Sequence, residues 1–330
     1  MDAFDKPTLV YSKGVHLLGT MVWFDPSHRR EFCAITNAGE HRIDRHERVL
    51  WSSQTAKLEE NRRGSPIPGL ACPFHHRFNL GPLEFELIPS GYMAGACQFL
   101  LTFPNGRRLL YSGPFSVQQS PTAESIEYTT CDILVLDATY GHEHHALPAR
   151  ESVYQDIRQW IDRTLDEDGT PVFLVANPGK AQDLIHILDT HGCSMRVHRS
   201  IQTVNRAFRE VGIALPGCKE FRGPPNERDV VLWPEHLTDS PLLERIERPI
   251  FARLTGAARA ESKIGKSQQA TVFPWSARAD FQELIHYTKQ VSPEIVLTLG
   301  AHAQDLANTL TMQGLAASPL LRSPQMALDL

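Results

Sequence analysis

The sequence predicts a mixed α/β protein in which two mixed sheets, with helices outside them, carry a smaller inserted α/β domain. Three observations point to that architecture. The first 140 residues read as short strands and turns, the stretch from 150 to about 235 alternates helical and strand patterns, and the last hundred residues return to strand–helix–strand units. Alternation of this kind is the pattern of parallel strands joined by crossover helices. It divides the 330 residues into a first segment 1–149, an insertion 150–240 and a returning segment 241–330.

In chain order, "GTMVWFD" (19–25) and "EFCAITN" (31–37) are β-branched and aromatic runs broken by "PSHRR". "LEFELIPSG" (83–91) alternates with period two and stops at Pro-Ser-Gly. "ACQFLLTFPNGRRLLYSG" (96–113) reads as a hairpin around Pro-Asn-Gly. "CDILVLDATYG" (131–141) is continuously apolar, as suits a strand covered on both faces. Val153, Ile157, Trp160, Ile161 and Leu165 then recur at helical spacing over 150–169, ended by Gly169. A strand over 172–175, a "NPGK" turn, a helix from about Ala181 and another over 200–213 follow. "PPNERD" (224–229) is a polar connector before the strand "VVLW". The returning part offers "PIFARLTG", the strand "ATVFPW", the helix "ADFQELIHYTKQV", the strand "EIVLTLG" and a helix from about Gln304, with a loose tail after Leu321.

Hydrophobic residues make up 42% and charged residues 22%, and the formal net charge is −5. Overall charge therefore gives no support for nucleic-acid binding, although a local basic patch remains compatible with it. No apolar run approaches the roughly 18 residues of a membrane span. The start, "MDAFDKPTLV", lacks the basic and apolar regions of a signal peptide. Six widely spaced cysteines, without a C-x-x-C pair, read as reduced and mostly buried thiols of a cytoplasmic protein.

Several segments, in order, resemble the metallo-β-lactamase superfamily, specifically its β-CASP nucleases and, within these, the bacterial ligase-associated DNA exonucleases. "FDPSHRREFCAITNAGEH" resembles the strand pair carrying an Asp and leading into H-x-H-x-D-H. "LIPSGYMAGACQFLL" resembles the segment P-S-G-H-x-x-G-S/A-x-Q, and "RRLLYSGPF" resembles Y-S-G-D-F. "ILVLDATYG" is similar to the strand ending in an acidic residue before T-Y/F-G. "NPGKAQDLI" and "NRAFREVGIALP" are similar to helices of the inserted domain, "FPWSARADFQELI" to S-D/A-H-A-D, and "EIVLTLGAHA" to the strand ending T-H-G. The resemblance covers roughly residues 10 to 315. It implies a metallo-β-lactamase αββα sandwich with an inserted β-CASP-like domain, and two divalent ions, usually zinc, that activate a water for attack on phosphorus.

The donors that the resemblance calls for are replaced. Asn37, Gly39, His41 and Arg42 stand where the family has His, His, Asp and His. Tyr92 stands for a His, Pro114 for the bridging Asp, Arg278 for a later His and Leu299 for the last one, and only Asp25 and Asp137 keep the acidic type. Glycine, proline and leucine offer no side-chain lone pair, Asn is a poor zinc donor beside imidazole, and arginine repels a dication. The expectation is a folded protein without the metal centre, hence no zinc cofactor and no catalytic residue. His41 and His46 could be recruited from shifted positions or could be exposed loop histidines. Asp25 and Asp137, left without a counter-charge, are expected to meet the guanidiniums of Arg42 and Arg278, unless these turn to solvent or bind a phosphate.

His142, His144 and His145 with Glu143 could form a replacement metal site, as could Cys72, His75 and His76, but neither group has H-x-x-x-H or C-x-x-C spacing, which favours surface-loop histidines. "NPGK" lacks the G-x-x-x-x-G-K-[ST] of a phosphate loop. Arg253, Arg259, Lys263 and Lys266 could contact a nucleic-acid backbone or form a solvated loop. The functional expectation is a catalytically inactive exonuclease-like scaffold in DNA repair or nucleic-acid processing. Its expected partner is a helicase, ligase, nuclease or phosphoesterase, with no membrane. The alternatives are a non-cutting nucleic-acid binding module and a metal-dependent exonuclease with remodelled ligands.

Overall fold

The computed structural model describes residues 7–39, 46–257, 263–264 and 268–320, which fold into three sheets. The first sheet runs β1 (Leu9–Tyr11), β2 (Val15–Leu17), β3 (Trp23–Phe24), β4 (Phe32–Ala34), β5 (Arg48–Ser52) and β6 (Gly69–Cys72). The predicted strand 19–25 is shorter than its apolar run because Leu17 N–H bonds the carbonyl of Val22 and turns the chain through Thr20. A helix that the apolar pattern did not announce follows: α1 (Ser53–Arg63), whose first turn is capped by Ser52 and whose last turn ends at Gly64 in the left-handed region.

The second sheet runs β20 (Ala316–Pro319), β19 (Ile295–Leu299), β11 (Ile133–Asp137), β10 (Arg108–Tyr111), β9 (Cys97–Thr102), β8 (Leu83–Pro89) and β7 (Phe78–Leu80). The hairpin read from Pro-Asn-Gly is the β9–β10 pair, with Leu109 opposite Leu101. Successive residues of these strands point to opposite faces. Phe99, Leu101, Leu109, Tyr111, Ile133 and Val135 join a core with Leu17, Phe24, Ala34 and Leu50 of the first sheet. Leu100, Leu110, Leu134 and Leu136 face the other way, onto Phe281, Leu284 and Val291 of α5 (Phe281–Val291) and Leu306 and Leu310 of α6 (Ala303–Met312). The continuous apolar run at 133–136 is thus a strand buried on both faces.

The third sheet runs β14 (Lys219–Glu220), β13 (Ser194–Val197), β15 (Asp229–Pro234), β12 (Thr170–Val175), β16 (Pro249–Thr255), β18 (Gln268–Pro274) and β17 (Lys263–Ile264). All neighbours are parallel except β17 and β18. Helices α2 (Arg150–Asp166) and α3 (Lys180–Thr190) place Ile157, Ile161, Leu184 and Leu188 on one face of it. The sequence boundary at 240 is too early for this sheet, because β16 and β18 lie beyond it and pair into the same ladder. The amphipathic helix α4 (Arg199–Glu210) lays Val204, Ala207 and Phe208 against Ala38, Leu58, Met93 and Ala94, fastening the third-sheet region to the first part of the chain. Asp183 adds a polar tie, accepting hydrogen bonds from Ser120 (2.7 Å) and Thr122 (2.5 Å).

Candidate functional site

The carboxyl ends of the strands in the first two sheets converge on one cleft, the usual place for a ligand in sheets with parallel strands. Asp25 follows β3, Pro114 follows β10, Asp137 ends β11 and Leu299 ends β19. These four and Arg278 line a cavity of about 260 Å³, together with Lys13 and Tyr111. The close approach that shapes it depends on Gly113, at φ +54°, where a Cβ would come within 2.5 Å of Thr36 Cγ2. Five expected positions therefore share a site.

Asn37, Gly39 and Tyr92 are placed differently. Asn37 is fully buried; its amide donates to Thr36 Oγ1 (3.1 Å) and its oxygen accepts from Gly39 N–H (2.9 Å), so it shapes a turn. Tyr92 packs beside the α4 cluster, and its ring centroid lies 5.6 Å from the Arg278 guanidinium carbon. His41 and Arg42 lie outside the described residues. His46 is buried and accepts Arg30 N–H through Nδ1 (3.3 Å), which corrects its reading as an exposed loop histidine.

Charge in the cleft is met from within the protein. Asp25 accepts from Thr36 N–H (2.9 Å) and from Thr36 Oγ1 (2.7 Å), and the buried Tyr111 lines the cleft beside it. Burial, with both aspartates nearby, pushes the Tyr111 hydroxyl well above the usual phenol range, so it stays a donor. Asp137 accepts from Thr139 N–H (2.9 Å) and Thr139 Oγ1 (2.5 Å), and its other oxygen accepts from Arg278 Nη1. The same Nη1 donates to Thr139 Oγ1 (2.9 Å). Arg278 thus reaches the aspartate, as anticipated for this pair.

Among the described residues, the side chains of this cleft fit two divalent ions poorly. A dication about 4 Å from the guanidinium would be repelled by roughly 8 kcal/mol at an effective dielectric of 20. The aspartates already hold protein donors, and Pro114 and Leu299 offer no lone pair. Among the described residues, no group of three His, Cys, Asp or Glu side chains is placed to hold a metal.

The other expected groups are dispersed or only partly described. Arg253 pairs with Glu235 at 2.8 Å, which engages its charge within the protein. Lys263 is described only as backbone of β17, and Arg259 and Lys266 lie outside the described residues. His75 sits 3.3 Å from Glu127 on the surface. His142 stacks on His144 (ring centroids 4.4 Å apart), while His145 turns inward to meet His302. Burial, with the neighbouring histidines, lowers the His145 pKa below the usual imidazole value. Residue reading missed His302, whose only local signal is Asp305 three positions on. It also missed Thr36 and Thr139, which orient the two aspartates. Of the cysteines, Cys33, Cys72, Cys97 and Cys131 are buried and all six are free thiols. No helix among the described residues is long and apolar enough to cross a membrane.

A mixed α/β protein with an aspartate–arginine cleft at converging strand ends is the class that fold and site define. Comparison with known proteins then supplies relatives, although no protein-family model matches the chain. It is 28% identical over 321 residues to a probable DNA ligase of Opitutus terrae, a match spanning 97% of this chain and 32% of that protein. It is 30% identical over 124 residues to endoribonuclease YSH1 of Mycosarcoma maydis (37% of this chain, 14% of that protein). It is 25% identical over 119 residues to a probable RNase MJ4 of Methanocaldococcus jannaschii (35% and 27%). The chain spans about a third or less of the length of these relatives. They are proteins of metallo-β-lactamase/β-CASP type, and this chain is their homologue, as its motifs indicated.

Proposed function

We propose that this chain is a β-CASP nuclease-like protein that does not cut, acting as a scaffold or partner-binding subunit in DNA repair or nucleic-acid processing. Its two core-sharing sheets and their outer helices are read as the metallo-β-lactamase αββα sandwich, and the third sheet as the inserted β-CASP-like domain. The observation that carries this reading is the Arg278 guanidinium bonded to Asp137 inside the cleft. A protein cation there stands in for the charge that two metal ions would bring, but it cannot activate water.

The match to a probable DNA ligase supports a ligase as the partner of first choice, ahead of a helicase, another nuclease or a phosphoesterase. In that relative, the part resembling this chain, 32% of its length, shares a polypeptide with a remainder about twice as long. A second reading, a module that holds nucleic acid without cutting it, draws support from relatives named as ribonucleases.

The test is cleavage of single- and double-stranded DNA and RNA with manganese or zinc added, paired with copurification from the native host. The expectation is no cleavage above that of an Asp25→Ala, Asp137→Ala double variant, and recovery of a ligase. Metal-dependent cleavage that disappears in the double variant would overturn the reading.

A further inference from the structure

His145 ends a 3-10 turn (Glu143–His145) and His302 immediately precedes α6; their Nε2 atoms lie 3.1 Å apart. The opposite nitrogen of each ring fixes its tautomer. His145 Nδ1 lies 3.1 Å from the carbonyl oxygen of Gly256, and His302 Nδ1 lies 3.0 Å from Asp305 Oδ2. A carbonyl and a carboxylate oxygen only accept, so both Nδ1 atoms carry the proton. A neutral imidazole has one N–H, so with both rings neutral each Nε2 presents a lone pair to the other, and a hydrogen bond across the 3.1 Å gap requires one ring, such as His302 beside Asp305, to be imidazolium. Either a proton on one ring or a metal ion between the two satisfies this pair.

We propose that His145 and His302 form a binding site for a single transition-metal ion of the zinc class, at the seam between the loop after β16 and the start of α6. At the usual 2.0–2.1 Å from each nitrogen, the ion would subtend an N–metal–N angle of about 100°, between tetrahedral and octahedral values. Both rings already have the arrangement found around metal-bound histidines, one Nδ1–H on a backbone carbonyl and the other on a carboxylate. Imidazole pairs suit zinc, copper and nickel rather than magnesium or calcium. His142 is not a third ligand: its Nδ1 accepts the backbone N–H of His144 (3.2 Å), which leaves the proton on Nε2. The remaining positions go to water, since both rings are partly exposed. Such an ion would clip the third sheet, through Gly256, to the second-sheet region. The site shares no residue with the aspartate–arginine cleft and does not depend on whether that cleft cuts.

The experiment is zinc titration of the untagged full chain by calorimetry, with cobalt spectra as a second readout. Expected is one ion per chain, bound at least tenfold more weakly by His302→Gln and severalfold more weakly by Asp305→Asn. His28→Gln and His191→Gln, which alter histidines elsewhere on the chain, should bind as the parent does. Zinc should raise the Tm of the parent and not that of His302→Gln. Asp305→Asn keeps the assay decisive if His302→Gln fails to fold. Absence of saturable binding, with nitrogen NMR showing a proton shared between the two Nε2 atoms, would overturn the proposal. So would binding indifferent to both His302→Gln and Asp305→Asn.

Discussion

In the cleft, two carboxylates face inward and Arg278 brings the positive charge to one of them; at the histidine pair, two ring nitrogens face each other across 3.1 Å. Asp137 meets Arg278, from 141 residues further along the chain, and Asp25 is held by both donors of Thr36. His145 and His302 each have the second nitrogen held in place by an acceptor, and their Nε2 atoms meet at 3.1 Å. The difference lies in what each set of side chains can hold. A carboxylate paired with a guanidinium is satisfied within the protein, whereas a pair of oriented imidazoles can take up an external ion, as proposed for His145 and His302. The two regions lie close along the chain at Asp137–His145, so one short segment, 137–145, carries a closed site and an open one.

The strongest way to break this contrast is to remove the cation that closes the cleft. Arg278→Met removes the cation and leaves the Asp137 carboxylate its bonds from Thr139. Breaking a buried pair by deleting one partner costs about 3–5 kcal/mol. Arg278 is 21% and Asp137 15% exposed, so the expected loss is at the low end, about 3 kcal/mol by urea denaturation. Arg278→Met combined with Asp137→Asn should recover much of it, since no unpaired charge then remains. A single variant as stable as the parent would show that the pair does not close the site.

How far these features could be read in the sequence depends on how local they are. The β9–β10 hairpin was plain because Pro-Asn-Gly and both strands are adjacent. β11 was plain because burial on both faces makes it uniformly apolar. Helix α1 was missed because its buried face includes Thr55 and Glu59, the latter clasped by Arg62 and Arg63, so it looks like a charged run. Its caps, Ser52 and Gly64, were the available signal. The edge strand β20 has small residues and no alternation. Arg278 could be matched to Asp137 only through motif order, and His145 to His302 not at all, because 157 residues separate them and neither carries a metal-ligand spacing. The boundary at 240 failed for a related reason: parallel pairing of β16 and β18 with β12 has no local signature.

Lys180 sharpens the comparison, because it is a second cation near Arg278 that closes nothing. Its Nζ donates to the carbonyl of Leu254, two residues before the Gly256 that orients His145. Burial pushes its pKa down to about 8, with Glu235 opposing and Arg278 and Arg150 assisting. The folded state therefore releases this proton before the unfolded state does. Stability should rise with pH between the folded value and the ordinary lysine value, by about 2 kcal/mol from pH 8 to pH 10. Because buried tyrosines and cysteines titrate in the same range with the opposite sign, the quantity to measure is the difference between the parent and Lys180→Met. A difference that is flat across this range would mean that Lys180 is solvated and that the seam beside the histidine pair is open.

The smallest effect tests how evenly the cleft's charge is shared. Tyr111→Phe removes a buried hydroxyl from the cleft beside Asp25 but leaves both bonds from Thr36, and the ring's stacking on Phe24, at 4.6 Å between centroids, survives. The hydroxyl is buried, so water cannot replace it fully, and the expected loss is about 1 kcal/mol. Thr36→Val should cost more than Tyr111→Phe, because Thr36 Oγ1 both donates to Asp25 and accepts from Asn37. If thermal unfolding ranks the two the other way, Tyr111 rather than the Thr36 turn holds the Asp25 carboxylate in the cleft.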